Sequence, residues 1–330
     1  MNLRPSRSPL RGLATLTALP LVLGLAACGD VGGSAGEEAD AGSERLSVLV
    51  SFYPIEHLTS RVAGEHADIT TLTSPGVDPH DVELTPRQVA SVGSADLVLY
   101  TSNMQPAVDQ AVQAEAGDRA VDLSPHADLL MMGEAVHEHD GDHEHADADD
   151  HDGHDHGTED PHFWLDPERY GQVARGIADE LISLDPDNTT DYEANLELLL
   201  SDLEALDQEF TEGLAQCRSR ELVTTHEAFG YLAHRYDLHQ IGITGIAPES
   251  EPSPARLAEV TAQVSELGVG AIFAEPILTD AIARTVANET RADVLVLDPI
   301  EGITDASAGT DYAEIMRANL DALREGLDCS

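Results

Sequence analysis

Lysine is missing from this 330-residue chain: all 17 basic residues are arginine, against 62 Asp and Glu, for a formal net charge of −45. So acidic a chain is repelled by nucleic acid and by anionic membrane surfaces, which excludes both as partners. It attracts cations, but weakly and without selectivity. The lack of lysine itself says little about function. No His-Glu-x-x-His pair and no activating acid at a recognised offset is present, which argues against a zinc hydrolase. The apolar run from Leu13 to Ala27 is too short to span a membrane as a stable helix. Tryptophan occurs once, at Trp164, and cysteine three times.

What is there begins with a leader. Arg4, Arg7 and Arg11 precede that apolar run, which ends in Leu25-Ala26-Ala27-Cys28. The tetrapeptide resembles the lipobox of bacterial lipoproteins. Cleavage before Cys28 leaves its thiol to carry a lipid anchor; an ordinary secretory signal with an incidental cysteine is the alternative. Either one places the mature chain outside the cytoplasm, and the anchor places it on the outer face of the cell membrane. Residues 28–44, rich in Gly, Ala, Ser and acids, are expected to form a flexible tether. In an oxidising compartment Cys217 and Cys329 are most simply a disulfide, with two free buried thiols as the alternative.

The rest is long enough for two domains. Buried-strand runs such as Leu46–Phe52 and Leu97–Thr101 alternate with helical stretches, including one opened by Thr85 as cap and Pro86 in the first turn. The order β-α-β-α-β-α-β recurs from Glu221 to Leu297. Between the repeats Leu196, Leu199, Leu200, Leu203, Leu206 and Phe210 recur at three- and four-residue spacing. They predict a helix of about 25 residues, nearly 40 Å long. The expected fold is α/β: two Rossmann-like (β/α)4 lobes with parallel sheets, over 45–188 and 215–330, joined by one long rigid helix over 189–214.

Residues 137–156 interrupt the first lobe, within an expected disordered loop over 134–159. They hold seven histidines (His137, His139, His143, His145, His151, His154 and His156) and nine acids in twenty positions. Without apolar periodicity such a tract cannot offset the cost of ordering. Imidazole and carboxylate both bind borderline divalent metals, so a loose metal-collecting role is expected, a solvated acidic linker being the alternative.

Directly after it, His162 sits between Pro161 and the apolar Phe163-Trp164-Leu165. A histidine so fixed is a pre-organised ligand, or else a satisfied loop histidine. His80, His226 and Asp298 lie where strands, or the loops leaving them, end, which is where open α/β sheets bind ligands. Three imidazoles and a carboxylate suit tetrahedral Zn2+. Spacing alone is weak evidence.

Longer motifs add to it. These are Val77-Asp78-Pro79-His80-Asp81-Val82-Glu83-Leu84-Thr85-Pro86, Asp160-Pro161-His162-Phe163-Trp164-Leu165-Asp166, Thr225-His226-Glu227-Ala228-Phe229-Gly230-Tyr231-Leu232, Pro248-Glu249-Ser250-Glu251-Pro252-Ser253, Phe273-Ala274-Glu275-Pro276 and Leu297-Asp298-Pro299. With them the chain resembles, over about residues 46–328, the metal-binding solute-binding proteins of bacterial ABC transporters, of the zinc-uptake type. The resemblance implies metal held between the lobes by His80, His162 and His226, with Asp298 at the position of a fourth, carboxylate ligand. It implies a non-enzymatic monomer that captures Zn2+ and delivers it to a permease with its cytoplasmic ATPase. Manganese members usually carry a carboxylate at the third position; His226 favours zinc. A manganese or other divalent-metal protein, and a surface adhesin carrying a metal site, are the alternatives within the family. Glu227 and Glu275 are candidates to orient an imidazole, or to act as local salt bridges or caps. His57, His66, His126, His234 and His239 are read as structural or exposed.

Overall fold

The computed structural model describes residues 45–131, 159–246, 251–276 and 279–330. The leader, Cys28, the tether over 28–44, the tract over 137–156 and residues 248–250 lie outside the described residues.

Two parallel four-stranded sheets carry the chain. The first contains β1 (Leu46–Val50), β2 (Ala67–Thr71), β3 (Leu97–Tyr100) and β4 (Ala120–Asp122), in the order β2-β1-β3-β4. Its helices are α1 (Tyr53–Ala63), α2 (Pro86–Val92), α3 (Pro106–Ala111) and α4 (Ser124–Ala127). After α5 (Pro167–Leu184) and α6 (Thr189–Gly213), the second sheet repeats the pattern as β6-β5-β7-β8. Its strands are β5 (Glu221–Thr224), β6 (His239–Gly242), β7 (Ala271–Ala274) and β8 (Asp293–Val296). Its helices are α7 (Gly230–Arg235), α8 (Pro254–Leu267), α9 (Ala281–Thr290) and α10 (Tyr312–Gly326).

The central strands β1, β3, β5 and β7 are mostly apolar because both faces are covered. Side chains alternate across a strand, so Val48, Val50, Leu97 and Leu99 enter one core while Leu49 and Val98 join a separate outer cluster with Val92 and Val108. In the second sheet Leu222, Ala271 and Phe273 enter that same first core, and Val223, Ile272 and Ala274 face outward with Val260 and Val286. The inner faces of both sheets therefore share one continuous core, filled by Trp164, Tyr170, Ile177, Phe210, Ile315 and Leu323. Exposing a single large side chain of that core costs roughly 1.5–3 kcal/mol. Wide opening of the lobes is thus opposed.

Helix α6 braces the two halves. Its 25 residues span about 38 Å at 1.5 Å per residue. Tyr192, Leu199, Leu203, Leu206 and Phe210 are its buried stripe, while Leu196 and Leu200 are half-buried. Toward its start Asn195 donates to the Val62 carbonyl and Asp202 pairs with Arg61; toward its end Asp207 pairs with Arg235 and Glu209 with Arg317. Cys217 and Cys329 form a disulfide that ties the chain end to the segment after α6. Local signals hold at helix ends: Thr85 caps α2 with Gln88 in a reciprocal capping box, and Gly268, at φ +65°, ends α8. Helix α7 starts at Gly230, and just before it the Glu227 N–H bonds the distant Gly245 carbonyl.

Candidate metal centre

Two of the site's histidines are delivered by the same local device. In Asp78-Pro79-His80 and in Asp160-Pro161-His162 the aspartate Oδ1 accepts the backbone N–H of the histidine two residues on, at 2.8 and 3.0 Å. Such a turn needs a short acceptor side chain first, and proline suits the second place because its φ is pre-set and it has no N–H to satisfy. The third histidine follows β5 directly. Thr224 ends the strand, Thr225 follows it, and the Thr224 hydroxyl donates to the His226 carbonyl at 2.7 Å.

These turns bring His80, His162 and His226 together with Glu301, one ligating atom from each lying within 4.8 Å of the others. Glu301 Oε1 is 3.3 Å from His80 Nε2, 3.2 Å from His162 Nε2 and 3.7 Å from His226 Nε2. His80 Nε2 is 3.3 Å from His162 Nε2. The side chains of His162 and His226 are fully buried, and those of His80 and Glu301 are only 9% and 5% exposed. Among the described residues, His226 Nε2 has no hydrogen-bond partner. A buried imidazole nitrogen pointing at a carboxylate from beyond bonding distance is a group awaiting a ligand.

Two carboxylates behind the rings decide which nitrogens face inward. Asp160 Oδ1 is 2.7 Å from His162 Nδ1, and Glu275 Oε1 is 2.6 Å from His226 Nδ1. When each ring is neutral, its carboxylate accepts the hydrogen bond from Nδ1–H, and Nε2 keeps a lone pair toward the centre. Thr225 donates a very short bond to the same Glu275 oxygen and holds it in place. The electrostatics follow from the crowding. Burial alone would lower the histidines, but Asp160 and Glu301 outweigh it at His162, which is raised. Burial is likewise outweighed by Glu275 and Glu301 at His226, which is pushed up to about 10. Burial would raise Glu301, yet the three imidazoles around it hold its carboxyl well below the usual range. A cation is what this arrangement of buried acceptors accommodates.

Asp298, the expected fourth ligand, is not in the group. It is buried two residues past β8, but its Oδ1 accepts the Ile300 N–H at 2.8 Å. Ile300 then adopts a left-handed φ of +58°, and this swings the next residue, Glu301, into the cluster. Glu275 bonds an imidazole. Glu227 does not: its side chain packs over Gly242, where a Cβ would lie 2.3 Å from its Cγ. Glu301 is not among the residues the sequence pointed to, and Asp160 figures there only as part of the motif around His162. The available signals were an acid two residues before His162 and a second acid three residues after Asp298. Of the other histidines, His57 stacks on Tyr170 and Tyr312, and His66 pairs with Asp191.

Residues 48–326 match the family described as zinc-uptake complex component A, periplasmic. The chain is 35% identical to the high-affinity zinc uptake system protein ZnuA of Bacillus subtilis over 319 residues, 96% of this chain and 97% of the relative. It is 34% identical to the zinc-binding lipoprotein AdcA of Streptococcus pneumoniae over 96% of this chain. It spans 60% of that relative's length, and 56% of the length of AdcA from Streptococcus pyogenes. The crystal structure of the Zn(II)-bound ZnuA-like domain of the pneumococcal protein superposes with a TM-score of 0.70 at 30% identity, covering 86% of this chain and 100% of that domain.

Proposed function

Given a chain that belongs to the family of zinc-uptake complex component A, we propose that it captures Zn2+ outside the cytoplasm and delivers it to the permease of an ABC transporter. His80, His162, His226 and Glu301 hold the ion. Cys28 carries the lipid anchor, which keeps the protein at the membrane face where a permease is reached. The histidine-rich tract over 137–156 collects zinc loosely, in addition to the tight site.

The observation that carries this reading is the spacing of the four ligating atoms. A tetrahedron with bonds of ~2.0–2.1 Å has edges of ~3.3–3.4 Å. The distances of 3.2, 3.3 and 3.3 Å among Glu301, His162 and His80 match those edges, and 3.7 Å to His226 is close. Three imidazoles favour zinc over the harder manganese ion. Four protein ligands with little exposure leave no open position for an activated water, which suits capture rather than hydrolysis.

Titration of the purified secreted chain with metal analysis tests the reading. The expected result is one tightly held Zn2+, bound in preference to Mn2+, which competes with a chelator and is lost in a His162→Ala variant. Tight zinc binding that survives this substitution sinks the assignment.

A further inference from the structure

Asp298 looks like a ligand by position, yet its Oδ1 contact is that of a turn-former, while its buried Oδ2 has no hydrogen-bond partner among the described residues. Its carboxylate accepts the N–H two residues on, as Asp78 and Asp160 do in the two Asp-Pro-His turns, and a proline again stands between. Asp298-Pro299-Ile300 is the third copy of one device. The first two place a ligand at the residue that donates the N–H; the third places it one residue later, at Glu301.

That extra step explains the rest of the geometry. Ile300 is fully buried and held at φ +58°, a conformation costly for a β-branched residue. The chain around it is over-determined. Asn319 of α10, 2% exposed, accepts the Asp298 N–H at 2.8 Å and donates to the Asp298 carbonyl at 2.7 Å. The Pro299 carbonyl accepts Trp164 Nε1–H at 2.7 Å. Residues 298 to 300 are thus pinned by two side chains from different elements, and the strained residue is caught between the pins and the ligand.

Resting on the reading of the four-residue centre as a zinc site, we infer that Asp298 and Asn319 are positioning residues for Glu301 and that Asp298 does not touch the metal. Asp298 supplies an acceptor oxygen and Asn319 a two-point backbone clamp; together they hold Ile300 left-handed and Glu301 against the histidines. Neither role needs a negative charge at residue 298.

The test separates an oxygen acceptor from a charged ligand. Zinc affinity and the visible absorption of the cobalt-loaded protein, which reports ligand number and geometry, are measured for wild type, Glu301→Gln, Asp298→Asn, Asp298→Ala and Asn319→Leu. Asp298→Asn keeps the acceptor for Ile300 N–H, so affinity within about threefold of wild type and an unchanged cobalt spectrum are expected. Asp298→Ala and Asn319→Leu lose a supporting contact and should weaken zinc by about 10–100-fold, the range for partners of metal ligands, and distort the spectrum. If Asp298→Asn falls as far as Glu301→Gln with a changed spectrum, Asp298 is a ligand and the inference is wrong. An unchanged Asn319→Leu overturns it independently of any carboxylate. Wild type that binds neither zinc nor cobalt removes the proposed function itself, a result distinct from both.

Discussion

Trp164 Nε1–H bonds the Pro299 carbonyl at 2.7 Å, and this one bond ties the turn that carries His162 to the turn that carries Glu301. The same tryptophan accepts the Tyr312 hydroxyl on its carbonyl at 2.6 Å and packs edge-on against Phe52. Candidate ligands from opposite halves of the chain are therefore kept in register by a side chain outside the four-residue group.

Trp164→Phe should cost about 2–4 kcal/mol of stability, since it orphans the Pro299 carbonyl and leaves a small cavity. Denaturant unfolding of the metal-free protein measures this, and an unchanged midpoint contradicts the role. Because Trp164 is the sole tryptophan and its ring lies 5.2 Å from that of His162, its emission in wild type should change with zinc and saturate at one equivalent of the tight site.

Removing a ligand should be severe and similar for all four. Structural zinc sites contribute about 10–16 kcal/mol over four ligands, or roughly 3 kcal/mol each, which is roughly a hundredfold in affinity. His80→Ala, His162→Ala, His226→Ala and Glu301→Gln are each expected to lose about that much in chelator competition. Two of them binding like wild type would show that the centre lies elsewhere.

His57 should make the fold acid-labile. Burial, with Arg61 nearby, lowers it to about 4. Above pH 6.5 the ring is neutral in both folded and unfolded chains, and its stabilising contribution is complete. As pH falls from 6.5 toward 4 the unfolded chain takes the proton first, so stability is lost through that window. The loss is at most about 3 kcal/mol, and less because the ring is partly exposed. Replacing His57 with Gln should flatten the pH dependence of unfolding between those limits, measured with chelator present. Parallel curves for the two proteins would refute this.

The disulfide should matter for stability and not for zinc. Cys217 and Cys329 are 112 residues apart in sequence, a closure that stabilises by roughly 4–5 kcal/mol in the chain-entropy model, with strain usually lowering the figure. Reducing agent should lower the melting temperature while one zinc stays bound. Loss of zinc on reduction, before unfolding, would tie the bond to the site instead.

Deleting residues 137–156 should remove weak, multiple metal binding and leave the tight site. Its seven histidines and nine acids lack apolar periodicity and gain little else from ordering, so the affinity per site should be low. They should also release metal as pH falls through about 6.5, where free imidazole protonates. Titration of the deletion variant decides the matter: disappearance of the tight site would mean that the tract supplies primary ligands.

Much of this molecule is written in local sequence. Apolar strand runs, the leucine spacing of α6, the Thr85-Pro86 helix start and the prolines beside His80 and His162 all act within a few residues, so they are legible without coordinates. Strand ends were legible as well, and they directed attention to His80, His226 and Asp298. What a strand end does not specify is the direction in which the next side chain points. That direction was decided by Asn319, twenty-one residues downstream of Asp298, and by Trp164, in the other half of the chain, which together hold Ile300 left-handed and turn Glu301 inward. Choosing between two acids three residues apart depended on contacts across 21 and 135 residues of chain, and only packing brings such groups together.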